Sequence, residues 1–128
     1  MPKKVLNIVE TAYRATLEEQ DDTILWLSHM LKKNGIDLSV LLRSNAVNYA
    51  VQGQNASGLR FGDVELAHPP TIDADVASLI EKGVPVYYVS EDARERGIAE
   101  DRMVDGLKAV SRKELPGLVD EFEQVWHW

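Results

Sequence analysis

The sequence predicts an α/β protein, a three-layer sandwich with helices over both faces of a parallel sheet. Two observations carry that expectation. Short β-branched, apolar runs alternate with amphipathic segments along all 128 residues. The runs are continuously apolar rather than alternating with polar residues, as strands covered on both faces must be. No linker, repeat or low-complexity tract breaks the pattern, so residues 1–128 read as one domain.

The elements follow in order. Lys4–Val9 (KVLNIV) is the first strand and ETAYRAT a loop. From there Leu17, Ile24, Leu27 and Leu31 recur on one helical face. Asn34-Gly35 ends that helix, because glycine adopts the left-handed C′ conformation at little cost. Ile36–Leu42 is a second strand, and Asn45–Gly53 a short helix with Asn45 as its front cap. Two glycines and a Pro pair make 54–70 a loop, with a short strand open in DVEL. Thr71 caps a helix that carries Ile72, Val76, Leu79 and Ile80 on one stripe and stops at Gly83. Val84–Val89 (VPVYYV) is a third strand, followed by a short helix at Ser90–Arg96 closed by Gly97. Gly106–Val110 is a fourth strand. Ser111 to Glu114 (SRKE) reads as a capping box before a face of Leu115, Leu118, Val119, Phe122 and Val125. The final VWHW is compatible with a last strand.

Composition narrows the functional classes. The chain is 45% hydrophobic and 27% charged, an ordinary globular balance, with a net charge of -7. It shows no basic stripe, so nucleic acid and anionic membranes are not expected partners. There is no cysteine. That removes disulfides, thiolate nucleophiles, persulfide carriage and Cys-ligated metals. The first ten residues lack the apolar run of a leader, and no apolar stretch is long enough to span a bilayer. A cytoplasmic location is expected.

In open parallel sheets ligands bind beyond the carboxyl ends of the strands. The polar residues there are Glu10, Thr11, Tyr13, Arg14, Ser44, Asn45, Asn48, Ser90, Glu91, Asp92, Ser111 and Arg112. From this region Glu10, Tyr13, Arg14, Asn45, Asn48, Val89, Ser90 and Asp92 are the candidate ligand-binding residues. At the turn after the third strand, Ser90 stands at the expected N-cap, with Glu91 and Asp92 in the first helical turn. Those carboxylates would satisfy the helix end and repel a further anion.

No catalytic residue, metal site or cofactor is expected. A Ser90–His68–Asp92 triad lacks a nucleophile elbow. His29, His68 and His127 have no metal-ligand spacing. GQNASG (Gly53–Gly58) lacks the Lys-Ser/Thr of a phosphate loop. Trp and Tyr favour interfaces, so Tyr88, Trp126 and Trp128 are the expected contact residues of an oligomer.

Four stretches in sequence resemble the DsrE/DsrF-like family, which includes the TusBCD sulfur-relay and YchN-type proteins. They are KKVLNIV, KNGIDLSVLLRSNAVNYA, LIEKGVPVYYVSEDARERGI and DGLKAVSRKELPGLVDEFEQV, together nearly the whole chain. The resemblance implies a five-stranded parallel sheet and assembly into trimers or hexamers, some with mixed DsrE-like subunits. Active members carry a persulfide on a cysteine at the end of the third strand. Counted back from Arg96-Gly97, that cysteine falls on Val89, and the second cysteine of some relatives on Asp92. Both are absent. The resemblance thus implies a non-catalytic or regulatory subunit linked to intracellular sulfur metabolism. The alternative is a stand-alone small-molecule binding module using the pocket at the strands' carboxyl ends.

Overall fold

The computed structural model describes residues 4–12, 23–54, 60–65 and 72–128. Five strands form one parallel sheet: β1 (Val5–Val9), β2 (Leu38–Leu42), β5 (Val86–Val89), β6 (Lys108–Val110) and β7 (Gln124–His127). Their order is β6-β5-β2-β1-β7, so the first and last of them in the chain are neighbours. β3 (Arg60–Phe61) and β4 (Val64–Glu65) make a separate antiparallel hairpin. The fold class read from the sequence is the one observed, and VWHW does form the fifth strand.

Every residue of β1 and β2 is buried, and side chains sort by parity. Val5 and Val9 join Val40, Leu42, Val86 and Tyr88 in the larger core. That core lies under α1 (Thr23–Lys33), α2 (Ile72–Glu81) and a 3₁₀ segment at Ser44–Ala50, which contributes Tyr49 at 0% exposure. Leu6 and Ile8 point the other way, to Leu41, Val89, Val110 and Leu118. Leu118 lies on α4 (Leu115–Asp120). Between β1 and α1 a polar link crosses the larger core: Asn7 donates to Ser28 Oγ at 3.1 Å, and Ser28 donates to the Ile24 carbonyl at 2.8 Å.

Two local expectations change. The second helical piece is 3₁₀ rather than α. It starts at Ser44, whose φ is 53°, and the capping position is Arg43 with no side-chain bond, so Asn45 is not the cap. The tight turn off β2 puts the left-handed residue first and carries Asn45 past the capping position. A second 3₁₀ turn at Glu100–Arg102 had no sequence signal. It is fixed by a bridge between Val51 and Met103, and by the Val104 amide donating to the Ala50 carbonyl at 2.8 Å.

Candidate functional site

The carboxyl ends of the five strands carry two polar clusters. The first joins β7, β1 and the residue after β2. Glu10 accepts from His127 Nε2 at 2.7 Å, and Arg43 Nε lies 3.8 Å from its other oxygen. Parallel register brings them together, because Ile8 pairs with His127 and Val9 with Leu42.

The second cluster is denser and centres on Asp92, in α3 (Ser90–Glu95). One Asp92 oxygen accepts from the Ser44 amide at 2.7 Å; the other accepts from the Arg112 guanidinium. That guanidinium also reaches Glu95 at 2.9 Å, and the Arg112 backbone amide donates to both oxygens of Glu91 at 3.1 Å. Arg96 closes the other side. It donates to the Asp92 carbonyl at 3.1 Å, to Asn45 Oδ1 at 3.0 and 3.1 Å, and to Ser44 Oγ at 3.3 Å. Asn48 donates to the Asn45 carbonyl at 2.9 Å.

The electrostatics fix the charge states. Burial alone raises the Asp92 carboxyl. The Ser44 amide, the hydrogen bond and charge of Arg112 and the charge of Arg96 together outweigh it and leave Asp92 below the usual carboxylate range. The Arg112 amide holds Glu91 low, and the Arg112 guanidinium holds Glu95 low. The hydrogen bonds that Arg112 donates to Glu95 and Asp92 raise its own pKa in return. All four groups are ionised at neutral pH and bonded to one another. A carboxylate so saturated is a poor general base, since protonating it breaks the bonds that lower its pKa.

The turn after β5 therefore differs from its sequence reading. The N-cap of α3 is Val89, with no side-chain cap bond, and Ser90 is the first helical residue. Ser90 Oγ instead donates to Glu91 at 3.1 Å, with the Val110 carbonyl at 3.4 Å. Glu91 and Asp92 serve amides of the loops after β6 and β2, and Glu91 accepts from its own amide as well. That follows from side-by-side strands, whose adjacent loops present unpaired N–H groups to α3. Of the expected capping box only one half forms: the Ser111 amide donates to Glu114 Oε1 at 3.0 Å, which lowers the Glu114 pKa, while the cap of α4 is Glu114 itself with no side-chain cap bond.

Of the expected ligand-binding residues, Asn45, Asn48, Ser90 and Asp92 meet around the second cluster, and Glu10 lies in the first. Val89 is 1% exposed within the smaller core and presents no surface to a ligand. Tyr13 and Arg14 lie outside the described residues, as do His68 and residues 55–58. Tyr88, expected at an interface, is 6% exposed in the larger core. Inward parity on β5 buries it and leaves little area for a partner. Trp126 packs half-buried against the same core, whereas Trp128 is 37% exposed. Sequence reasoning missed the roles of Arg43, Glu95 and Arg96. Only the i, i+4 spacing from Asp92 to Arg96 offered a signal.

Among the described residues no group of His, Cys, Asp and Glu is arranged to hold a metal ion. No helix there is long and apolar enough to cross a membrane.

No family model matches the chain, and no curated protein matches it in sequence. Solved structures do. The ychN protein from E. coli superposes with a TM-score of 0.72 over 100% of both chains at 22% identity. The protein BT1422 from Bacteroides thetaiotaomicron gives 0.68 over 98% of this chain and 95% of its own, at 11% identity. MTH1491 from Methanobacterium thermoautotrophicum gives 0.60 over 97% and 98%, at 16% identity. Five parallel strands in the observed order, flanked by helices and matched end to end by ychN, give this chain the DsrE-like fold.

Proposed function

We propose that the protein is a non-catalytic subunit of an intracellular sulfur-handling assembly, contributing structure or regulation rather than carrying sulfur. One observation supports this most directly. Around the position where active DsrE-like proteins hold their persulfide, this chain has a fully bonded Asp92 carboxylate and no cysteine anywhere. A carboxylate locked between the Ser44 amide and Arg112 preserves the shape of the turn and repels an anionic sulfur species. The fold belongs to a group whose members associate, and Val125 and Trp128, 40% and 37% exposed, offer apolar surface for a homo-oligomer or a mixed one.

Native mass spectrometry of the protein purified gently from its own cells tests the reading. The expected result is a trimer or hexamer containing a cysteine-bearing DsrE-like chain. Sulfane sulfur on this chain after incubation with a persulfide donor overturns it, and so does a persistent monomer.

A further inference from the structure

Beside the end of β5 lies a cleft of about 230 Å³ that borders the second hydrogen-bonded cluster at Ser90. Residues 98–103, pinned by the Val51–Met103 bridge, supply one wall, and β5 with α3 the other. Ala93, Ile98 and Met103 line it with apolar surface; Tyr88, Arg94 and Glu100 supply the polar groups.

Among the described residues these three polar side chains have no side-chain partner. Tyr88 is 6% exposed and lines the cleft, and its hydroxyl forms no hydrogen bond with another described residue. Arg94 and Glu100 line the same space, but neither forms an ion pair with the other or with any described residue. The contrast is local: Glu95 and Arg96, next along the chain, are both bonded into the Asp92 cluster.

A cation and an anion that line one small space, neither paired among the described residues, select a ligand that carries both charges. A simple anion meets repulsion from Glu100, and a simple cation meets it from Arg94. The volume corresponds to about eight waters at roughly 30 Å³ each, the scale of a small amino acid. We propose that this cleft binds a small zwitterion of amino-acid size, its carboxylate on Arg94, its ammonium on Glu100 and its apolar side chain against Ile98 and Met103. Burial and the charge of Glu100 push the Tyr88 phenol up, so the hydroxyl stays protonated and is free to donate to the carboxylate.

The test is amide NMR on the isotope-labelled protein titrated with L-alanine and L-methionine. Two half-blocked probes run beside them: N-acetyl-L-methionine, which keeps only the negative charge, and L-methionine amide, which keeps only the positive one. Saturable shifts in residues 88–103 are expected with the free amino acids. Affinity should fall about tenfold or more for each blocked probe and in Arg94→Gln and Glu100→Gln. Both replaced side chains are exposed, and the same spectra report whether each variant is folded. No saturable shift up to about 10 mM overturns the proposal. So does equal binding of the acetylated probe. The result does not depend on whether the protein joins a mixed assembly.

Discussion

The amide of Ser44 donates to a carboxylate oxygen of Asp92 at 2.7 Å, although the residues lie 48 apart in sequence. This bond ties the loop after β2 to the helix after β5. It holds Ser44 at φ 53°, a conformation that serine seldom adopts. Removing the carboxylate leaves a part-buried N–H unbonded and frees Arg112. Asp92→Ala is expected to cost about 2–4 kcal/mol in urea denaturation, and Asp92→Asn about half as much. Equal stability of all three proteins would show the cluster to be incidental.

The same cluster sets the acid limit of the fold. The folded-state pKa of Asp92, Glu91 and Glu95 is depressed. Their contribution is therefore complete above the unfolded carboxylate value and disappears as pH falls through the lower folded values. Stability should decline from roughly pH 4 downward. Arg112→Gln, which removes the shared partner, should flatten that decline. Parallel acid titrations of the two proteins by circular dichroism check the difference in slope.

Backbone strain at Ser44 makes a prediction of opposite sign. Ser44→Gly keeps the amide that Asp92 needs and relieves the left-handed cost, losing only the 3.3 Å bond from Arg96. It should be neutral or stabilising by up to about 1 kcal/mol, whereas Ser44→Val should destabilise by about 1–2 kcal/mol. Gly106 tests the converse. Its φ is 92°, and an added Cβ falls 2.9 Å from Ile80 Cγ2. Gly106→Ala should cost about 1–3 kcal/mol in the same assay.

Restoring a cysteine should not restore reactivity. Val89 is 1% exposed among Leu6, Ile8 and Leu41, so a thiol there is desolvated and its pKa raised. Val89→Cys is expected to react with a thiol-specific disulfide reagent at least about tenfold more slowly than Ser90→Cys, which sits half-buried at the cleft edge. Rapid labelling at position 89 would mean that the turn opens far more readily than its hydrogen bonds suggest.

The strands were legible in the sequence because burial on both faces leaves continuous apolar runs such as Val5–Val9. Glycines at 35, 53, 83 and 97 marked the turns for the same kind of reason: each has a positive φ. The loops at the carboxyl ends were legible only as a location. Ser44 carries no chemical sign of its left-handed backbone, so Asn45 looked like the cap. Ser90 looked like a cap because its neighbours were known and those of the parallel strand were not. Arg112 stood in the right loop, but its bond to Asp92 exists only because β5 and β6 lie side by side. Tyr88 shows the same limit, since an aromatic in a strand reads alike whether it faces a partner or its own core.

The placement of β7 beside β1 bears on the order in which the protein is made. β1 emerges first from the ribosome, but one of its hydrogen-bonding edges is completed only by the last strand of the sheet. During synthesis of everything between them, that edge stays open to any other extended chain. Each newborn molecule thus passes through a stage in which pairing with a sibling on the same message competes with pairing to itself.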